Sequence, residues 1–459
     1  MSAVPKQVIS MPKVKGLKTI SAKTYTTFPI NSSGTTTFRY DGNNQIVFSI
    51  PAFKGSWLNP QKTFLRFQMT TDTGCFPAQG CPVFSRLQLR IGNVVAEDIM
   101  GYAEVERALS NFDSVCSKYA KANYSGDYRI TPNVGDQYNS SAELISIYNN
   151  GTTIEKSLVS GVLGKEFQEH FIPLGHFSQS GGSAMELTLW LEDPAIATLR
   201  PDAGAVGYTL SDVQLQLETV SMPQSLNEKL DKELFNGGAF KLPYSTWRQH
   251  INHIPSGSAN AELSINESAH NIENVMTVMT KQSRPAIVNY DNTTLATSRD
   301  NLDFLGGHGD RTKLETDATY TTLGAVKSYQ FSYDTDLYPL KRAEMGTRDN
   351  KLALLNAVHT LDKWDADCFA GGFYTDGRSL WDEAGAFALV QSFKTSRDDY
   401  LNGLNSSATG SALMLSLTLK KALTAGVQLQ SFVKSTYQLN IKKGGNVDVI
   451  NGSAKENLD

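Results

Sequence analysis

Apolar and polar residues alternate with a period of two along much of the chain. Ile46, Phe48 and Ile50 alternate with Val47 and Ser49, and Leu65, Phe67 and Met69 with Arg66 and Gln68. Leu87, Leu89 and Ile91 alternate with Gln88 and Arg90, and Val213, Leu215 and Leu217 with Gln214 and Gln216. The clearest run sets Met185, Leu187, Leu189 and Leu191 against Glu186, Thr188 and Trp190. Such alternation puts one set of side chains on a core face and the other outward, the signature of a half-buried strand. Turn chemistry separates the runs, as at Asn31-Ser32-Ser33-Gly34, Ser180-Gly181-Gly182 and Asn405-Ser406-Ser407. Many short strands with long polar connections predict an all-β protein of sandwiches or jelly rolls, not a helical or βαβ fold.

Helical spacing is confined to three places. Val105, Leu109 and Phe112 fall on one face of Tyr102 to Ala122, and Leu352, Leu355 and Leu361 mark residues 348–364. The third runs from Leu226 to Phe235, where Leu226, Leu230 and Leu234 form a stripe and Ser225 with Glu228 spells a capping box. Two strand patterns recur about half a chain apart. Ser183 to Leu191 lines up with Ser411 to Leu419 at an offset of 228, and Gln214 to Leu217 with Gln438 to Ile441 at 224. Matched order at nearly constant offset predicts one sandwich copied in tandem. The expected organisation is an extended arm at 1–35, a first jelly roll at 36–222, a connector helix at 223–236, a second jelly roll at 237–445 and a tail at 446–459.

With 40% apolar and 19% charged residues, the 459-residue chain has ample material for buried cores. Its formal charge of −4 excludes a surface that is a nucleic-acid footprint throughout. The N-terminus departs from that balance. Lys6, Lys13, Lys15, Lys18, Lys23 and Arg39 precede the first acidic residue, Asp41, and Val4, Val8, Val14 and Leu17 show no period. A solvated tail fits these residues, and so does an arm that touches an anionic surface or ties subunits together. No apolar run approaches the ~18 residues of a membrane helix. The start lacks the apolar core of a secretory signal, so a soluble protein made in the cytosol is expected.

Candidate chemistry is sparse, and no enzyme is predicted: no catalytic residue, metal site or cofactor emerges. G-x-S-x-G, H-E-x-x-H and C-x-x-C motifs do not occur. Gly161-Val162-Leu163-Gly164-Lys165 has the wrong glycine spacing for a phosphate loop, and Glu166 stands where a magnesium-binding hydroxyl belongs. His250 and His253, three apart on an expected strand, point to opposite faces. Gly306 to Asp310 holds His308 in a glycine loop with no nucleophile in sequence beside it, and Asp365/Asp367 and Asp398/Asp399 read as solvated turns. Cys75 and Cys81 flank a Gly/Pro loop and could pair under oxidising conditions, but four cysteines make no disulfide framework. Eight N-x-S/T sequons, Asn31, Asn123 and Asn150 among them, read as polar loops.

Several stretches together resemble a known family. They are Phe64 to Met69 through Phe84 to Gly92, running on into Val95 to Ile99 and the helix at Tyr102; Tyr208 to Glu218 before the connector; and Tyr329-Gln330-Phe331 leading to Leu337-Tyr338-Pro339-Leu340. Over roughly residues 36–450 the chain resembles the double-jelly-roll major capsid proteins of the lineage joining adenoviruses and tailless membrane-containing phages. It is most like those of polinton-like viruses and virophages. The resemblance implies a DNA-virus capsid protein in the virion, assembled inside the host cell. It implies homotrimers forming pseudo-hexagonal capsomers that tile an icosahedral shell, with neighbouring capsomers, penton and minor capsid proteins as partners. The loops of 100–180 and 290–400, with Trp364 and Trp381, are then expected at trimer contacts and the outer surface. Lys6, Lys13, Lys15, Lys18 and Lys23 would face the genome or an internal membrane, or lace neighbouring capsomers. A viral spike or carbohydrate-binding β-sandwich protein is the alternative, and a β-sandwich hydrolase a third reading.

Overall fold

The computed structural model describes residues 7–10, 21–30, 37–53, 55–78, 80–112, 141–164, 168–177, 185–199, 206–282, 304, 326–344, 357, 359–361, 387–394, 403–407 and 411–451. The first half builds one jelly roll. Its strands are β2 (Ser21–Thr27), β3 (Thr37–Phe38), β4 (Gln45–Ile50), β5 (Ser56–Thr71), β6 (Phe76–Pro77), β7 (Phe84–Ile91), β8 (Val94–Met100), β9 (Thr152–Lys156), β10 (Met185–Leu191), β11 (Thr198–Leu199) and β12 (Tyr208–Ser221), after a short β1 (Gln7–Ser10). A five-stranded and a four-stranded sheet carry the architecture, in the orders β2-β12-β5-β9, with β3 also on β12, and β4-β10-β7-β8, antiparallel throughout. The second half repeats this plan with β13 (Gly238–Ile254), β14 (Asn260–Ile265), β15 (Ile272–Lys281), β16 (Val326–Tyr333), β17 (Asp336–Glu344), β18 (Leu389–Ser392), β19 (Leu413–Leu419) and β20 (Val427–Lys442). Its sheets run β13-β20-β15-β18 and β14-β19-β16-β17, and β21 (Val447–Asn451) pairs with β20.

The two orders superimpose element for element, so the fold is a double jelly roll. The segments matched in sequence hold matching places: β10 and β19 are the second strand of one sheet, β12 and β20 the second strand of the other. Each predicted alternation lands inward. Ile46, Phe48, Ile50, Leu65, Phe67, Met69, Leu87, Leu89, Ile91 and the leucines of β10 are all buried. Outward positions are polar or screened, as where the Arg86 guanidinium lies 4.6 Å from the Trp190 ring and forms a two-bonded pair with Asp98 at 2.7 and 2.6 Å.

Three expectations differ from the structure. Ser21–Thr27 is not arm but the edge strand β2, paired with β12 from Thr27↔Leu215 to Ser21↔Ser221, and Lys23 lies exposed within it. Gln7–Ser10 is also paired, lying parallel to Gly238–Lys241 on the outer edge of β13. The capping box of the connector does not form. Its helix spans Gln224–Phe235 with Pro223 as the N-cap, and Glu228 accepts from the Gln224 amide at 2.8 Å instead. Pro223 presets the backbone for helix entry without a side-chain cap. The apolar stripe holds: Leu230 and Leu234 are buried and Leu226 packs against the core. The first helix, α1, runs Tyr102–Asn111, and beyond Phe112 the predicted helix lies outside the described residues. Of 348–364 only 357 and 359–361 are described.

Candidate assembly surfaces

Glu97 is the buried one of two adjacent acids on β8, and its carboxylate explains how the rolls join. It accepts the backbone N–H of Gly161 at 2.6 Å and of Val162 at 3.3 Å, and the Ser160 hydroxyl. Burial pushes its pKa above the usual carboxylate range, opposed by the hydrogen bonds from Ser160, Gly161 and Val162. Those bonds pin residues 160–162 to β8 where β13 of the second roll arrives. There the Tyr244 hydroxyl donates to the Ala96 carbonyl at 2.6 Å, and the Gln168 amide bridges the carbonyls of Gly161 and Pro243 at 3.1 and 3.3 Å. A Cβ on Gly161 would stand 2.0 Å from the Ser245 carbonyl oxygen. Only glycine lets the backbones come that close. Gly161→Ala should therefore lower stability by about 1–3 kcal/mol through enforced separation of the rolls. Urea unfolding of the two proteins measures this, and unchanged midpoints would contradict the close approach.

Three further groups adjoin the junction. Gly101, the left-handed residue before α1 (φ 62°), packs against Gln249 and Phe432 of the second roll, and Glu104 of α1 accepts from the Gln430 amide at 3.2 Å. Behind Ser245, Glu273 on β15 receives Lys394 at 3.0 Å, Lys434 at 3.3 Å, the Thr436 hydroxyl at 2.6 Å and the Ser245 hydroxyl. Burial acts to raise its pKa, but the two ammonium groups and the two hydroxyls outweigh that and hold it at about 2. At the connector, Trp57 of β5 donates from Nε1 to Asn227 at 3.1 Å, and its ring meets Phe240 of β13 edge-on at 5.9 Å. His176 contacts both rings and pairs with Asp231 at 2.6 Å.

Elsewhere the described surface exposes large apolar side chains, among them Leu340, Ile30, Phe28 and Leu337, with Val95 and Met100 on β8, Ile251 on β13 and Tyr40. Leu337 and Leu340 lie on β17, the outer strand of its sheet, and Phe28 and Ile30 directly follow β2. Phe235 is exposed too, but Lys443 lies over its ring at 3.5 Å. Of the basic positions singled out in sequence, Lys23 is on β2 and Lys6, Lys13, Lys15 and Lys18 lie outside the described residues. Trp364, Trp381, His308, Asp365, Asp367, Asp398 and Asp399 lie outside them as well.

His250 and His253 fall on β13 as expected. His250 pairs with Glu267 at 2.9 Å beside Arg248 at 3.3 Å, and His253 faces solvent. Cys75 and Cys81 are buried free thiols, and Cys81 contacts the Met69 sulfur at 3.5 Å. Among the described residues no three His, Cys, Asp or Glu side chains group as metal ligands would. Sequence reading missed Glu97 and Glu273. The available signal was an acid on a strand with apolar residues at both ends, as in Val95-Ala96-Glu97-Asp98-Ile99 and Ile272-Glu273-Asn274-Val275.

No protein-family model matches the sequence, and no curated protein does. Solved structures do match in fold. PBCV-1 VP54, fitted into a reconstruction of the virophage Sputnik, superimposes with a TM-score of 0.60 at 11% identity, covering 96% of this chain and 99% of that one. A chain of the Sputnik virophage structure gives 0.53 at 11% identity, with 95% and 90% covered. The mavirus major capsid protein gives 0.50 at 9%, with 96% and 93% covered. The likeness thus extends over both jelly rolls and not over a single sandwich.

Proposed function

We propose that this chain is the major capsid protein of a virus shell, assembling as homotrimers whose six jelly rolls form a pseudo-hexagonal capsomer. The carrying observation is the tandem pair of rolls with one strand order, matched along nearly the full length of virophage and PBCV-1 capsid chains. Three chains with two like rolls each supply six similar wedges, which pack a flat lattice with a single kind of subunit. The rolls supply stiffness, and the loops between strands supply lateral contacts and the outer face. Capsomers meet one another, penton and minor capsid proteins in an icosahedral shell enclosing the genome.

The basic arm is assigned the inner face. Lys6, Lys13, Lys15 and Lys18 precede the first strand of the first roll and flank β1, which holds this segment to the edge of β13. About 1 kcal/mol per charge near an anionic surface is enough for four lysines to matter at low salt. Light scattering and negative-stain microscopy of the purified protein test the trimer, which should appear as six-lobed particles of three chains. Isolated monomers would end the reading, and glycan capture by such monomers would favour a carbohydrate-binding protein. Replacing Lys6, Lys13, Lys15 and Lys18 with alanine keeps β1 on β13 and should leave trimers intact while reducing shell yield; normal particle yield would refute the arm's role.

A further inference from the structure

One end of the second roll gathers cations from separate parts of the chain. β20 ends at Lys442 and turns into β21 through Lys443, Gly444 and Gly445. Both glycines take left-handed backbone (φ 81° and 77°), which closes the turn and leaves Lys443 exposed at its tip. Lys442 stands opposite Ala239 on β13, so Lys241 lies diagonally across from it on the same face of the sheet. β1 runs along the same stretch of β13, Gly238–Lys241, with Ser10 opposite Lys241. Lys6 directly precedes β1, and Lys13, Lys15 and Lys18 follow it. A chain advances at most about 3.5 Å per residue, so the Cα of Lys13 is held within about 11 Å of that of Ser10.

The acids at this end do not cancel these charges. Asp448 is paired with Lys442, and no acid precedes Asp41 in the arm. No carboxylate among the described residues pairs with Lys241 or Lys443. The connector adds no net positive charge, since Lys229 and Lys232 stand against Glu228, Asp231 and Glu233. The surplus therefore comes from the hairpin, from β13 and from the arm that β1 fastens beside them.

These lysines are spread over a strand, a hairpin and the chain on both sides of β1, not gathered round one point. That arrangement suits a polymer of regularly spaced phosphates and not a single small anion. A surface that enters a bilayer needs large apolar side chains beside its cations. Within residues 224–241 and 442–451 the one exposed large apolar side chain among the described residues is Phe235, and Lys443 already lies over its ring. We propose that Lys241 and Lys443 form, with the lysines flanking β1, one binding surface for the phosphodiester backbone of a nucleic acid. β1 joins its two parts, because it ties the arm to the strand that carries Lys241. The proposal rests on the inner placement of the arm given above, and it adds where the arm is anchored and which polymer it meets.

With one phosphate neutralised by each of Lys6, Lys13, Lys15, Lys18, Lys241 and Lys443, affinity should fall about a thousandfold between about 50 and about 200 mM salt. Fluorescence anisotropy of a labelled double-stranded DNA of mixed sequence, titrated with the full-length protein, measures this. Lys241→Ala/Lys443→Ala should flatten the log–log salt slope by about two and weaken binding about tenfold or more at the lower salt. Lys241→Arg/Lys443→Arg should bind like the parent. Parent-like binding by the alanine pair would overturn the composite surface, and so would a parent without salt-dependent DNA binding. Capture by vesicles of phosphatidylglycerol and phosphatidylcholine in preference to DNA would overturn the choice of partner in favour of a membrane. Melting temperatures within a few degrees of the parent's establish that the variants fold, and Lys442 is left in place because it holds Asp448. Should the pair melt early, Lys443→Ala alone repeats the measurement, with a slope lower by about one expected and an unchanged slope counting against the surface. Light scattering on the same samples keeps the two readings apart. A trimer that ignores DNA removes this surface and leaves the capsid reading, whereas a monomer that binds DNA removes the capsid reading and leaves the surface.

Discussion

Glu273→Gln should destabilise the protein by roughly 3 kcal/mol at neutral pH, and the loss should disappear in acid. The folded carboxyl is held at about 2 against an ordinary 4.5, mainly because Lys434 and Lys394 outweigh the effect of its burial. A shift of that size, converted at about 1.4 kcal/mol per pH unit, gives the figure. Because the folded pKa is the lower one, the contribution is fully present above the ordinary value. It falls away as pH drops from about 5 toward 2. Glutamine keeps the shape and can accept from Ser245 or Thr436, but it removes the charge that two half-buried lysines face. Urea unfolding of both proteins at pH 7 and pH 3 reads the difference. Equal stability at pH 7 would mean that the two lysines find other compensation.

Glu97, on the other side of the same junction, titrates in the opposite sense. Burial raises its folded pKa, so what its protonated form contributes is present below the ordinary carboxylate pKa and is lost as pH rises through the folded value. One junction therefore contains a carboxylate that favours neutral pH and another that favours acid. The first has two lysines and the second only hydroxyl and backbone donors.

The strands with a buried face could be read from sequence, and the polar edge strand β2 could not. β4, β7, β10 and β12 have neighbours on both sides or a full inner face, so their leucines and isoleucines must alternate. The two sequence matches found H-bonded inner strands for the same reason: β10, β12, β19 and β20 each lie between two partners. β2 reads Ser-Ala-Lys-Thr-Tyr-Thr-Thr and buries only Thr27 fully, so nothing in its polarity separates it from an arm. A lysine on such an edge is consistent with protection against unwanted pairing, which also hides the strand from pattern reading. The junction was illegible for a different reason. Glu97 finds Ser160 and Gly161 more than sixty residues away, and Glu273 finds Lys434 on another strand. An acid on a strand with apolar ends signals a partner without naming it. Cap choice at the connector followed the same limit, since Ser225 fits the local rule but Pro223 already caps the helix two residues earlier.

Trp57→Ala should cost about 3–5 kcal/mol, the range for emptying a fully buried large aromatic site. The indole is the point where three parts meet: β5 of the first roll, Asn227 of the connector and Phe240 at the start of the second roll. Its removal leaves a cavity beside Phe240 and His176 and takes from Asn227 its indole donor. Trp57→Phe keeps most of the packing and loses the hydrogen bond, so it should cost about 1–2 kcal/mol. The pair of variants separates volume from orientation. In the proposed ring of six rolls, each intrachain junction sets an angle that the interchain junctions must match for closure. The alanine variant should therefore lose trimer yield beyond what its melting temperature accounts for, while the phenylalanine variant should assemble normally. Thermal melts and trimer yields measured on the same preparations decide this. If yield simply follows melting temperature across both variants, Trp57 contributes stability alone and the angle between rolls is fixed elsewhere, at Tyr244 and Gly161.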